Sequence, residues 1–270
     1  MFKQGAFVNI LTSDSKGWKT TLKNLEQLPL LDHIELWLEY IPKGWELEEI
    51  STAFRDIPLI VHGPFLHTSL VSHIPAIAAV TEERFDAALE FASKVEARVV
   101  TFHAGTYPSF ESKDQALDKL ANRFGRFAEL RDPVATLENM PVNSSGTTRQ
   151  AIGHLSDCDQ ILKILPNLRF TLDIGHSLQN DDDFVAFLKK HSSRVEDIHL
   201  HDGVPLGKGH LRLGAGNLDL NRFLDTLLAI SFDKFVGVET ISFDDTRSSW
   251  ETLCKAESAK GIRHSGWPPQ

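Results

Sequence analysis

Cysteine and long apolar runs are scarce in this sequence of 270 residues. Only Cys158 and Cys254 occur, both within predicted helices, and there is no CxxC motif. Cysteine therefore neither holds a metal cluster nor cross-links the fold, which is typical of a protein in a reducing cytoplasm. No apolar run approaches the roughly 20 residues that cross a bilayer. The first residues, MFKQGAFVNILTSD, lack a small-residue cleavage site, and we interpret them as a first strand rather than a signal peptide.

Basic residues are also fewer than acidic residues. The chain has 28 Lys and Arg against 37 Asp and Glu, a formal net charge of −9. Phosphate binding is driven mainly by Lys and Arg, so this balance argues against a nucleic-acid partner, although a local basic groove could still offset it. Apolar residues make up 41% and charged residues 24% of the chain, and both values are ordinary for a globular enzyme.

Short β-rich apolar runs recur along the whole chain, with enough residues between them for one helix and two loops. The predicted strands are residues 5–10, 33–37, 58–62, 98–103, 134–138, 168–173, 196–201 and 235–239. Helical spacing of apolar residues predicts a helix over 81–97, and a capping box at Ser112 and Gln115 opens another over 111–130. Successive strand and helix units without a hairpin signal predict a parallel sheet covered by helices.

Eight such units predict a single α/β domain over residues 1–270, a closed (β/α)8 TIM barrel with the active site at the C-terminal ends of the strands. An open doubly wound sheet is the alternative. In either fold the carboxyl ends of the parallel strands share one edge. We therefore expect residues at the strand ends to lie near one another.

Acidic and imidazole side chains recur at the ends of six predicted strands. They are His62, His103, Glu138, Asp173, His199 with His201, and Glu239, while His176 and His210 follow shortly after strands six and seven. Half of the 12 histidines of the chain thus fall at or just past strand ends. Such a group would be strongly desolvated and mutually repelled unless a cation joined it. Carboxylate with imidazole suits zinc, manganese, cobalt or magnesium, and several histidines favour the transition metals.

These motifs resemble the xylose-isomerase-like barrel superfamily, which includes sugar-phosphate isomerases and epimerases and the barrel-type apurinic/apyrimidinic endonucleases. The resemblance extends from "IVHGPF" to "GVET". It implies a metal tetrad of Glu138 in "LENM", Asp173 in "LDIGH", His199 in "HLHDG" and Glu239 in "VET". It also implies a divalent metal cofactor and chemistry at the barrel mouth.

The endonuclease branch is similar to the chain in further positions. The resemblance implies additional metal ligands at His62 in "HGPF", His103 in "FHAG", His176 in "DIGH" and His210 in "GHLRLGAG". That branch has an aspartate where this chain has Lys208. An ammonium group cannot bind a cation, so a third metal would keep only His176 and His210, and we expect one or two metal ions.

These motifs and the resemblance are compatible with two classes of enzyme. In a metal-dependent isomerase or epimerase acting on a sugar or sugar phosphate, Glu138 and Glu239 would act as base and acid and His176 would hold or polarise a substrate oxygen. Further substrate contacts are expected at Lys208, Arg212, His201 and Glu35. Asp202 is expected to orient a neighbouring histidine.

The alternative is a metal-dependent phosphodiesterase acting on abasic DNA, with a hydroxide attacking phosphorus. A barrel that binds a sugar without turning it over is a third, non-enzymatic reading. We favour the isomerase or epimerase, because losing a ligand to the third metal weakens the nuclease mechanism more. The sequence leaves oligomeric state open, although apolar residues on the outer helices of barrels often support dimers.

Overall fold

The fold is a closed parallel barrel surrounded by helices, as seen in a computed structural model that describes residues 1–10, 15–142 and 146–263. The barrel strands are β1 (Lys3–Ile10), β2 (His33–Leu38), β3 (Leu59–His62), β4 (Val99–Phe102), β6 (Val134–Glu138), β8 (Arg169–Asp173), β9 (Val195–Leu200) and β10 (Phe235–Val238). They pair in the closed order β1-β10-β9-β8-β6-β4-β3-β2. The predicted eight-stranded barrel is confirmed, and the open sheet is excluded. The extent of the domain over residues 1–270 stays a prediction, and residues 264–270 lie outside the described part.

Helices follow the strands and cover the barrel. They are α1 (Ser15–Leu25), α2 (Trp45–Ala53), α3 (Pro75–Lys94), α4 (Lys113–Ala128), α5 (Leu155–Ile164), α6 (Ile174–Gln179), α7 (Phe184–His191), α8 (Leu220–Ala229) and α9 (Phe243–Ala259). Helix α3 starts six residues before the predicted 81, because Pro75 occupies the first turn, where its missing N–H costs nothing. The capping box at Ser112 is confirmed, with Ser112 Oγ accepting the N–H of Gln115. Among the described helices, none is long and apolar enough to cross a membrane.

The apolar core lies between the barrel and the helices. Phe102 on β4 stacks on Phe85 of α3 at 4.0 Å between ring centroids, and Phe124 and Phe127 of α4 pack beside them. Side chains alternate along a strand, so the neighbour of Phe102, Thr101, points into the barrel.

Part of the barrel interior is polar, unlike the Val, Ile and Leu layers common in this fold. Thr101, Thr136 and Thr171 are fully buried, and Thr171 Oγ1 lies 2.8 and 2.7 Å from the hydroxyls of the other two. The three hydroxyls hydrogen-bond to one another. Polar groups thus continue from the barrel interior up to its mouth.

A two-stranded antiparallel ribbon lies outside the barrel sheet, formed by β5 (Thr106–Pro108) and β7 (Thr148–Gln150). This pairing was not predicted, and it is not a hairpin, because α4 and β6 lie between its two strands in the chain. Three-residue strands are too short to show a period of two, which is why the sequence does not reveal them. Lys113 anchors β7, because its Nζ donates to the carbonyls of Gln150 and Ala151 at 3.1 and 3.2 Å.

Candidate metal centre and active site

Four strand ends bring the predicted tetrad together at the barrel mouth. Glu138 and Asp173 end β6 and β8, His199 lies near the end of β9, and Glu239 follows β10 directly. Each of the four is buried, and each offers a ligand atom within 4.8 Å of those of the others. His199 Nδ1 lies 3.3 Å from Glu138 Oε1 and 3.2 Å from Glu239 Oε2. These atoms surround one point, as ligands of a single cation would.

Glu138 also contacts a second group. Its Oε2 atom lies 3.0 Å from His103 Nε2 and 3.4 Å from His62 Nε2, and the three residues form a separate potential ligand set. One oxygen of the carboxylate thus faces the tetrad and the other faces the two histidines. Glu138 could therefore contribute a ligand atom to each of two cation sites.

A third group consists of imidazoles only: His176, His201 and His210. The His201 and His210 rings stack at 4.2 Å, and the His176 ring lies 5.4 Å from each. His201 lies beside the two predicted ligands His176 and His210, and the number of protein ligands to a third ion stays a prediction. Lys208 is exposed on the loop between His201 and His210.

Asn139, which the sequence analysis did not single out, fixes the backbone between two of these groups. Its amide accepts the N–H of Asp173 at 2.8 Å and donates to the Asp173 carbonyl at 3.0 Å. Its own carbonyl accepts from His176 Nδ1 at 2.9 Å. Asp173 in turn caps α6 by accepting the N–H of His176 at 2.6 Å. The residue after Glu138 therefore sets the orientation of both Asp173 and His176.

The loop after β9 is organised by Asp202. Its carboxylate accepts the backbone N–H groups of Gly203, Gly214 and Leu218, each at 2.9 Å. The expectation that the Asp202 side chain orients a histidine is replaced by a backbone role. The loop then holds His210 beside His201, whose Nδ1 accepts the N–H of His210 at 2.8 Å.

Electrostatics within the site couple the carboxylates to the imidazoles. Burial alone would raise the pKa of Glu138, but His199, His103 and His176 hold it well below its usual value. Burial alone would lower the pKa of His176, but Asp173, Glu138 and Glu239 raise it to about 9. The pKa of His199 is also raised, by Glu35, Glu138 and Glu239 against burial. The carboxylates thus favour positive charge at this place.

The donor set fits a divalent metal. Nδ1 of His199, Nδ1 of His210 and Oε2 of Glu239 are buried and find no hydrogen-bond partner among the described residues. Such unpaired buried atoms are costly, and cations bound within the tetrad and beside His210 would satisfy them. Mixed imidazole and carboxylate ligands are typical of zinc and related divalent ions.

A cavity of about 350 Å³ opens above these groups. Its lining is Trp37, His62, Phe65, Thr68, His103, Gly105, Thr106, Glu138, Met140, Pro141, Gln150, His176, His210 and Glu239. Among the described residues that line it, none is a lysine or an arginine.

The four expected substrate contacts lie elsewhere. Lys208 and Arg212 are exposed, and His201 and Glu35 are fully buried below the cavity floor. These contacts stay predictions. The position of Glu35, against His199, points to a different partner for its carboxylate.

One wall of the cavity is aromatic. Trp37 at the end of β2 and Phe65 after β3 stack at 5.2 Å with an interplanar angle of 28°. Glu39 holds this wall in place, because its Oε1 accepts the N–H of Phe65 at 2.7 Å and its Oε2 accepts from Arg84 at 2.8 Å. The wall and the residues contributed by the β5–β7 ribbon were not predicted. Only the position of Trp37 at a strand end could have indicated one of them.

Comparison with known proteins agrees with this architecture. Uncharacterized protein MJ1311 of Methanocaldococcus jannaschii is 27% identical over 209 residues, which are 73% of this chain and 69% of that protein. The crystal structure of a D-tagatose 3-epimerase-like protein matches with a TM-score of 0.81 at 23% identity, covering 96% of this chain and 98% of that one. An L-ribulose 3-epimerase matches with a TM-score of 0.73 at 17% identity, covering 97% and 93%.

At these identities the structural likeness shows the fold alone. The model of one family, described as "Xylose isomerase-like TIM barrel", matches residues 22–263. That match covers most of the chain, including each member of the tetrad. The chain therefore belongs to the xylose isomerase-like TIM barrel family.

Proposed function

We propose that the protein is a divalent-metal-dependent epimerase or isomerase that moves a proton at a carbon atom of a ketose. The observation that carries this proposal is the placement of Glu138 and Glu239. Both carboxylates line the cavity, and both contact Nδ1 of His199 from different strands. Inversion at carbon requires a base on one face of the substrate and an acid on the other. Two carboxylates at one cavity floor supply such a pair.

A divalent cation held by the tetrad would supply Lewis acidity toward the carbonyl and the neighbouring hydroxyl of the ketose. One carboxylate removes the proton from the carbon next to the carbonyl, and the electron pair of the C–H bond moves into the carbonyl to give an enediolate. The opposite carboxylic acid then donates a proton. Donation to the other face of the same carbon restores the carbonyl and gives the epimer. Donation to the former carbonyl carbon gives the isomer, because the proton of the neighbouring hydroxyl moves to the former carbonyl oxygen and the new carbonyl forms at the carbon that was deprotonated. His176 and His210 line the same cavity, and in this mechanism they hold substrate oxygens.

The lining favours an uncharged sugar over a sugar phosphate. Phosphate sites in proteins are typically built from arginine, lysine or backbone N–H groups at a helix N-terminus, and the described lining contains neither basic residue. The Trp37 and Phe65 wall offers instead a flat apolar surface for the C–H groups of a sugar. The names of the structural neighbours, a D-tagatose 3-epimerase-like protein and an L-ribulose 3-epimerase, support the same substrate class.

The test is exchange of carbon-bound hydrogen. Metal-reconstituted protein is incubated in D2O with a panel of free ketoses and the matching ketose phosphates, and deuterium incorporation and epimer formation are followed by NMR. We expect exchange with one or more free ketoses, and loss of exchange in Glu138→Gln and Glu239→Gln. The exposed Glu83 provides a matched control, since Glu83→Gln removes a carboxylate that does not line the cavity. Absence of exchange across both sets of substrates would reject the proposal.

The group of three imidazoles supports a second candidate function, phosphodiester hydrolysis. His176, His201 and His210 add a potential third cation to the two that Glu138 can bridge, and clusters of metal ions suit phosphodiester hydrolysis. The same preparation is therefore assayed for nicking of an abasic oligonucleotide. Nicking that depends on Glu138, without hydrogen exchange on any sugar, would replace the epimerase proposal by the phosphodiesterase.

A further inference from the structure

Two carboxylates lie beneath the metal centre, inside the barrel, and neither lines the cavity. Glu35 on β2 and Asp197 on β9 are 0% exposed. Their Oε2 and Oδ2 atoms find no hydrogen-bond partner among the described residues. Burying two such groups without full pairing costs free energy. Neither the ketose chemistry nor the tetrad uses them directly.

Both carboxylates face the same imidazole. His199 Nε2 lies 3.3 Å from Glu35 Oε1, with hydrogen-bond geometry, and 3.4 Å from Asp197 Oδ2. The opposite ring nitrogen, Nδ1, faces Glu138 and Glu239 in the tetrad. The ring is held between these two sets, and the edge-on contact with Phe7 at 5.1 Å restricts its rotation.

We propose that Glu35 and Asp197 are positioning residues that keep the proton of His199 on Nε2, Glu35 by accepting the N–H and Asp197 through its nearby carboxylate, and so reserve Nδ1 for the metal. This inference rests on the proposed metal site. A neutral imidazole carries one proton, and a proton on Nε2 leaves the lone pair on Nδ1. Carboxylates that accept the remaining N–H of a metal-bound histidine fix its tautomer and raise its basicity as a ligand.

The surroundings of the pair favour a hydrogen-bonded proton at Nε2. Side-chain alternation places Ile60, Val99 and Phe235 inside the barrel, where they form a separate buried apolar cluster. The Asp197 carboxylate is also oriented from its own strand, because Oδ1 accepts the N–H of Ile198 at 2.9 Å. Oδ2 is thereby turned toward His199.

The first test compares metal affinity between variants. Zinc and manganese affinities of the full chain are measured by competition with a chelator for the wild type, Glu35→Gln and Asp197→Asn. Both substitutions keep size and an acceptor oxygen but remove the ionisable carboxyl group. We expect each to weaken metal binding by about 10- to 100-fold, the range found for such outer partners. Thr101→Val is the control, since Thr101 is buried in the same barrel interior but bonds to Thr136 and Thr171.

The second test reads the tautomer, which a merely structural role would leave unchanged. Correlation spectra of the zinc-loaded protein with 15N-labelled histidine distinguish a protonated Nε2 from a protonated Nδ1, and the His199 signals are identified by their loss in His199→Gln. We expect the proton on Nε2 in the wild type, and a weakened or exchanging signal in Glu35→Gln. A proton on Nδ1, or affinities in Glu35→Gln and Asp197→Asn equal to that of Thr101→Val, would overturn the inference while leaving the proposed function standing. A wild type that binds neither metal would overturn both.

Discussion

Removing the metal should make the stability of this protein fall as the pH rises above neutrality. The pKa of His176 is raised from 6.5 to about 9 by Asp173, Glu138 and Glu239 against the effect of burial. A group with a raised pKa in the folded state stabilises that state below its unfolded pKa, and this stabilisation is lost as the pH rises through the folded pKa. For His176 the window is therefore pH 6.5 to about 9.

The size of the effect follows from the shift. One pKa unit corresponds to about 1.4 kcal/mol, so the His176 shift corresponds to about 3 kcal/mol of unfolding free energy lost across this window. The raised pKa of Glu35, about 8 because of burial, acts in the same direction. The lowered pKa values of His103 and His210 affect the unfolding free energy only below pH 6.5, because the imidazoles of the unfolded chain gain protons there. None of these four residues therefore offsets the fall in unfolding free energy above pH 6.5.

The assay is urea unfolding of chelator-treated and metal-loaded protein at pH 6, 7.5 and 9. We expect the unfolding free energy of the metal-free protein to fall by about 3 kcal/mol or more over this range, and that of the metal-loaded protein to change much less, because a bound metal keeps its imidazole ligands neutral. His176→Asn should remove its share of the slope. A metal-free protein equally stable at pH 6 and pH 9 would refute the reasoning.

Three further outcomes follow from the site. A Cβ at Gly175 would lie 1.8 Å from His201 Cε1, so Gly175→Ala should displace His201. We expect a lower metal content by elemental analysis and a loss of about 1–3 kcal/mol of stability by urea unfolding. Because Glu138 contacts both the tetrad and His103, Glu138→Gln should lower the number of metal ions per chain, whereas Glu83→Gln should not. Trp37→Ala should raise the KM for the ketose about 2- to 10-fold with a smaller change in kcat, since aromatic contacts contribute about 0.5–1.5 kcal/mol; an unchanged KM would exclude Trp37 from the substrate wall.

The barrel and the polar side chains at its strand ends were predictable because each rests on a local signal, whereas the choice of four of them as a metal tetrad came from the family resemblance. A polar side chain at the end of an apolar run, as at Glu138 or Asp173, interrupts the pattern of a buried strand. Parallel pairing then places every such end at one edge of the sheet. Convergence of residues distant along the chain therefore follows from topology once the strands are recognised.

The cavity wall and the third imidazole group were not predictable in the same way. Thr106 and Gln150 reach the cavity through a ribbon too short to show strand periodicity. The loop after β9 matters more, because the backbone contacts of Asp202 fold it so that His210 lies on His201. The resemblance to the endonuclease branch drew attention to Lys208, which replaces an aspartate ligand of that branch. It could not show that a residue seven positions earlier lies beside the remaining two.

The polar part of the barrel interior is connected to the metal centre at the mouth. An apolar interior would support the fold equally well, yet here Glu35 and Asp197 are buried directly beneath His199. Buried carboxylates without full pairing are costly, so their presence requires a compensating interaction. A hydrogen-bonded imidazole that binds a cation on its other nitrogen provides one, because the positive charge of the metal is transmitted through the ring to both acceptors. The stability of the interior and the affinity of the metal centre are then two aspects of one interaction, and they should change together when either carboxylate is neutralised.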